Sequence, residues 1–181
     1  MVRPERRRSA MDALELLRTE HEKVRALLRQ FEELRAIEDE DERKAELVDE
    51  ICYELTLHTM LEEEIFYPAL RAAQLDADMM DEADVEHAGA RELISQLEVM
   101  YPGDDHFDAT VVVLGEEIAH HIDKEEGEMF AAARAAGIDL AALALLLTAR
   151  REQLEEDLSS PASIETFEPH GGSRRSPRPP N

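Results

Sequence analysis

The sequence predicts an all-α fold, an up-down-up-down four-helix bundle followed by one further helix and a disordered tail. Three observations carry this. Apolar residues recur at steps of three and four along four long segments. Turn residues are sparse, with 7 glycines and 8 prolines in 181 residues, too few for a sandwich or barrel. One helical hairpin also occurs twice. At this length the chain makes one domain with a proper core.

The first helix is expected from Asp12, its N-cap, to Ile37, with a seam of Leu14, Leu17, His21, Val24, Leu28 and Phe31. The acidic run EDED, residues 38–41, is the first loop. The second helix runs to about Leu70, along Leu47, Ile51, Leu55, His58, Glu62, Ile65 and Ala69. A link at residues 74–78 leads to a third, with Met80, His87, Ile94 and Leu97 on its seam. YPGDD, residues 101–105, turns the chain by its Pro-Gly chemistry. The fourth helix carries Val111, Leu114, Ile118, His121, Glu125 and Met129, and Gly137 stops it. A shorter fifth helix spans roughly residues 140–158, with Leu143, Leu146 and Leu147 closing the open side of the bundle. The expected organisation is therefore a basic extension (1–10), the bundle (11–137), the C-terminal helix (138–160) and a Pro/Gly/Arg-rich disordered tail (161–181).

The formal charge of −23 opposes binding to nucleic acid or an anionic membrane by the folded part. The two ends break the trend, residues 1–10 carrying a net +3. They read as flexible solubilising segments. The single cysteine, Cys52, has no internal disulfide partner and fits a reducing compartment. The basic N-terminus lacks the apolar run of a secretory signal, and the most apolar stretch, residues 140–149, is too short to span a bilayer. A soluble, cytoplasmic protein is expected.

The seams contain residues that a core should refuse. His21, His58, His87 and His121 lie on the four apolar faces, and Glu62 and Glu125 follow the second and fourth histidines by one helical turn. EHEKVRALL at residues 20–28 resembles EHAGARELI at 86–94, and HTMLEE at 58–63 matches HIDKEE at 121–126. In an antiparallel hairpin, residues equally far from the loop share a height. The midpoints of His21/His58 and of His87/His121 fall inside the two loops, which sit at one end of the bundle. All four rings then lie in one layer, about 26 Å from that end at 1.5 Å per residue. Two uncompensated buried carboxylates cost several kcal/mol each. A pair of metal ions removes that cost, and N/O donors suit iron or manganese. The bland alternative is a polar layer satisfied by His–Glu hydrogen bonds.

The set H…HxxxE…H…HxxxE on a four-helix bundle resembles the hemerythrin-like (HHE cation-binding) family over about residues 11–135. The resemblance implies two non-haem iron ions in a carboxylate-bridged centre, with an open position for O2, NO or peroxide. His21, His58, His87 and His121 would be terminal ligands, with Glu62 and Glu125 as bridges. Two departures from the oxygen-carrying members stand out. Ala83 occupies the place of their fifth histidine, and Glu125 follows its histidine by four residues where they have an Asp at five. An additional open position on one metal favours peroxide or redox chemistry over simple O2 carriage.

The expected function is thus a di-iron protein that binds or senses O2, NO, peroxide or iron status, as a monomer or weak homo-oligomer. The rivals are a catalase-like or ferroxidase enzyme at the same ligands and a metal-free helical interaction protein. His120 is read as lying on a flank, and His106 and His170 as solvated. Glu63, Glu64, Glu126 and Glu128 read as a solvated face, with Glu126 as an alternative bridge. Glu20 and Glu86 stay outside the expected ligand set, ring orientation being their alternative role. Tyr53, Phe66 and Tyr67 read as packing residues, either tyrosine being the one that would approach the metals. Cys52 reads as structural.

Overall fold

The structure is a computed structural model that describes residues 11–159. The basic first ten residues, His170 and the tail lie outside the described residues. Helix α1 (Ala13–Leu34) opens on a capping box. The Asp12 carboxylate accepts from the Glu15 N–H at 2.9 Å, and Glu15 accepts from the Asp12 N–H at 3.0 Å. Helix α2 (Asp41–Leu61) runs through a π-helical turn, π1 (Glu62–Phe66), into α3 (Tyr67–Ala72). Helix α4 is Ala77–Leu97. Helix α5 (Phe107–Lys124) repeats the earlier device, passing through π2 (Glu125–Met129) into α6 (Phe130–Ala135). Gly137, at φ +70°, turns the chain in the left-handed region that glycine tolerates, and α7 (Leu140–Ser159) follows.

Helix α1 packs on α2 and α4 on α5, giving the two hairpins of the four-helix bundle, while α7 lies against α1 and α2. No strand occurs among the described residues, and none of their helices is long and apolar enough to cross a membrane. The core is split in two. One apolar cluster, near the loops, includes Val24, Phe31, Ile51, Leu55, Leu114 and Ile118. The other, at the opposite end, includes Leu14, Leu17, Leu61, Phe66, Leu70 and Phe130, together with Leu143, Leu147 and Leu154 of α7. The four histidines form the layer between them.

The π turns correct the expected seam. Each adds a residue to one turn, so the buried face after Glu62 moves on by one position. Phe66, Tyr67 and Leu70 are buried where Ile65 and Ala69 were expected, and those two are only partly covered. Similar one-residue shifts bury Leu27 ahead of Leu28 and Val48 ahead of Leu47. In α7, Leu143 and Leu147 close the bundle as expected, but Leu146 is 58% exposed, and Ala144 and Leu154 complete the contact.

Candidate metal centre

The fold brings all six expected residues together, and all are buried. They form two groups of donor atoms, each with its atoms within 4.8 Å of one another. The first holds His21, His58, Glu62 and Glu125; the second holds Glu62, His87 and His121. Glu62 belongs to both, whereas Glu125, expected as a second bridge, belongs to the first alone. Its Oε1 lies 3.1 Å from His58 Nε2 and 4.0 Å from His21 Nε2, and its Oε2 lies 3.3 Å from His87 Nε2 and 4.0 Å from His121 Nε2. Glu125 Oε2 is 3.1 Å from His21 Nε2.

Each ring is fixed from behind. His21 Nδ1 bonds Glu126 (2.9 Å), His58 Nδ1 bonds Glu20 (2.9 Å), His87 Nδ1 bonds Glu63 (3.0 Å) and His121 Nδ1 bonds Glu86 (2.8 Å). A carboxylate only accepts, so Nδ1 carries the proton and donates, and Nε2 turns inward. The result is two close nitrogen pairs, His21–His58 at 3.1 Å and His87–His121 at 3.3 Å. The four carboxylates are tied in turn to basic side chains: Glu126 to Arg25, Glu20 to Arg151, Glu63 to Arg91 and Glu86 to Lys124. Glu20 and Glu86 serve the other helix of their own hairpin, whereas Glu63 and Glu126 serve the opposite hairpin. In the sequence, ring orientation was only the alternative role of Glu20 and Glu86, and Glu63 and Glu126 read as a solvated face. Their one signal there was the repetition of Glu-His and Glu-Glu pairs.

Tyr67 is the other residue at the centre. Its hydroxyl lies 3.3 Å from Glu62 Oε2, 3.3 Å from His87 Nε2 and 3.5 Å from His121 Nε2. Its ring stacks on His87. Phe130, which occupies the same place after Glu125 that Tyr67 occupies after Glu62, stacks on His21. Tyr53 is part of the apolar cluster. His120 is on the flank and His106 is exposed, as expected. The Cys52 thiol, buried among apolar residues, is pushed up to about 12 chiefly by that burial, which suits a structural role.

The electrostatics show what the centre lacks. Burial, reinforced by His58, pushes His21 down to about 2. Burial also lowers His58, but Glu62 and Glu20 override it and hold the ring well above its ordinary value. His87 is likewise raised against its burial by Glu62 and Glu63, while burial keeps His121 lowered. Burial would raise Glu62, yet His58 and His87 hold it well below the usual carboxylate range. Glu125 is pushed well up by burial and by the Glu62 charge. In each nitrogen pair one ring is raised and the other lowered, and the raised rings face Glu62, where cations would neutralise it. The compensation is incomplete. Glu62 Oε1 and both oxygens of Glu125 are buried with no hydrogen-bond partner. Buried orphaned carboxylate oxygens facing imidazole nitrogens fit a cation site.

A cavity of about 170 Å³ reaches Glu125 and His121 along Met79, Ala83 and Met129, with Asp76, Asp78, Glu82 and Glu128 also lining it. It lies beside Ala83, the position identified in the sequence as lacking a histidine.

The family model described as Hemerythrin HHE cation binding domain matches residues 12–133. A curated protein named DNA nickase, from Nostoc sp. (strain PCC 7120), is 30% identical over 124 residues, covering 68% of this chain and 34% of that protein. The chain therefore spans about a third of that relative's length. The crystal structure of a hemerythrin HHE cation-binding domain-containing protein from Mycobacterium kansasii matches with a TM-score of 0.67 at 24% identity. It covers 82% of this chain and 93% of that one, a likeness of fold. The family match takes in every histidine and glutamate of the centre, and the protein belongs to the hemerythrin HHE cation-binding domain family.

Proposed function

We propose that the protein is a cytoplasmic non-haem di-iron protein that binds or senses a small ligand such as O2, NO or peroxide. The observation that supports it most is the set of orphaned oxygens on Glu62 and Glu125, set among four inward-facing imidazole nitrogens. His21, His58 and Glu125 would hold one iron and His87 and His121 the other, with Glu62 offering one oxygen to each. The donors are nitrogen and oxygen only, Cys52 lying in the apolar cluster near the loops. Bound iron supplies a redox-active Lewis acid with room for an exogenous ligand.

The chain's own residues divide the remaining work. Glu126, Glu20, Glu63 and Glu86 orient the rings and hold a proton on each Nδ1. The apolar clusters on either side exclude water. The cavity beside Ala83 offers a small ligand a path to the centre at His121 and Glu125. Tyr67 keeps its proton, since burial and the charges of Glu62 and Glu125 push its hydroxyl well above the ordinary value. That hydroxyl can donate to a ligand beside His87 and His121. This contact favours a second reading, catalase-like peroxide turnover at the same residues. The net charge of −23 opposes a nucleic-acid role like the one named for the Nostoc relative.

The test is to load the protein anaerobically with Fe(II) and record its ultraviolet–visible spectrum on adding air and then peroxide. New charge-transfer bands that persist support ligand binding, while bands that bleach with release of O2 support turnover. Iron-loaded protein whose spectrum stays unchanged through both additions would overturn the reading.

A further inference from the structure

The four rings are not held alike. Behind His21, His87 and His121, the carboxylates are backed by Arg25, Arg91 and Lys124, all within the four-helix bundle. Behind His58 the chain of contacts leaves the bundle. Arg151, on α7, donates through Nη1 to Glu20 Oε1 at 2.9 Å and through Nη2 to Glu54 Oε2 at 2.8 Å. The second oxygen of Glu20 accepts from His58 Nδ1 at 2.9 Å, and that of Glu54 accepts from Lys23 at 2.7 Å. Glu20 and Glu54 are only 9% and 5% exposed. A guanidinium fork that spans two buried carboxylates fixes both in position, as a lysine ammonium reaching one of them would not. The Arg151 Nε donates to Glu155 one turn on, which holds the fork in place. Helix α7 lies beyond the matched residues 12–133.

We propose that α7 is a positioning element of the metal centre, with Arg151 acting through Glu20 to fix the His58 ring, so that α7 sets cation affinity in the His21/His58 half alone. The inference rests on the metal-binding reading above. Without Arg151, Glu20 loses its only cationic partner on α7 and is free to leave His58 for solvent. The imidazole then loses the acceptor that fixes its proton on Nδ1 and its Nε2 toward the centre. Leu143, Ala144, Leu147 and Leu154, together with the Arg150–Glu64 pair, still hold α7, so one substitution separates the relay from docking.

The experiment titrates the metal-free full chain with Co2+, followed by visible absorption, with circular dichroism to verify folding. Wild type is expected to bind in two steps. Arg151→Met should weaken one step by about 10- to 100-fold and leave the other unchanged. Glu20→Gln should weaken the same step, and the double variant should be no worse than the weaker single. Arg150→Ala, which removes the other ion pair of α7, should leave both steps unchanged. If Arg151→Met does not fold, Arg151→Lys takes its place, with an intermediate loss at the same step. Unchanged steps in a folded Arg151 variant overturn the inference, as does an equal loss at both steps or the same loss in Arg150→Ala. A wild-type chain that takes up no Co2+ overturns the metal reading itself and this inference with it.

Discussion

The two halves of the centre come from one repeated hairpin, yet they are built for different tasks. Both have a pair of histidines with facing Nε2 atoms, and both share Glu62. The His21/His58 half adds the second carboxylate, Glu125, and is stacked by Phe130 and braced by α7. The His87/His121 half has the Tyr67 hydroxyl in place of a second carboxylate, and the cavity touches both halves, at His121 and at Glu125. The first half is the more anionic, suited to holding a cation. The other has a proton donor, suited to presenting a ligand. Sequence repetition thus supplied equivalent frames, and divergence at Tyr67/Phe130 and outside the bundle made them unequal.

The largest effect expected is from Glu62→Ala, which removes the residue common to both halves. Iron content should fall close to zero, and iron loading should no longer raise the melting temperature. Retention of one half's iron would show the halves to be independent. Next comes Glu125→Met, which touches only the first half. It should cost one ion of the pair, measured by elemental analysis. The same change should stabilise the metal-free chain by on the order of 1 kcal/mol, because an orphaned carboxyl beside Glu62 is removed from the core.

Tyr67→Phe makes the second half resemble the first. Metal content should stay the same, the spectrum of the ligand-treated protein should change, and metal-free stability should drop by about 1 kcal/mol. The smallest effect concerns α7. Burial would raise Glu54 above its ordinary 4.5, but Lys23 and Arg151 hold it below that value. Its folded-state value is depressed, so its contribution is present above about pH 4.5 and lost as pH falls through the lower, folded value. Protease cleavage within α7 should therefore become easier as pH falls below that ordinary 4.5, and Glu54→Gln should flatten that dependence.

Much of this was legible because helical hairpins obey simple geometry. Equal distances from residues 38–41 and 101–105 put His21, His58, His87 and His121 at one height, and the three-and-four spacing put them inside. Asp12 was recognisable as a cap, and Gly137 as a stop. The π turns were not legible from periodicity, which assumes 3.6 residues per turn. The available signals were Pro68, which cannot donate to the carbonyl four residues back, and Gly127, a weak helix former inside EEGEM. Missing the extra residue left the choice between Tyr53 and Tyr67 open, since the π turn is what swings Tyr67 inward. Ring orientation by Glu20 and Glu86 was only an alternative, and Glu63 and Glu126 were missed, because each acts on another helix while its own helix's periodicity places it on the flank. Arg151 lies 131 residues from Glu20, and no local pattern links them.

The central claim is that Glu62 joins two cation sites in one polar layer. The most direct test is iron per chain, by elemental analysis, in wild type and Glu62→Ala loaded anaerobically and freed of excess metal. The account predicts about two irons in wild type, one for each donor group, and almost none in the variant. Iron-free wild type, or a Glu62→Ala variant that keeps both irons, would contradict it.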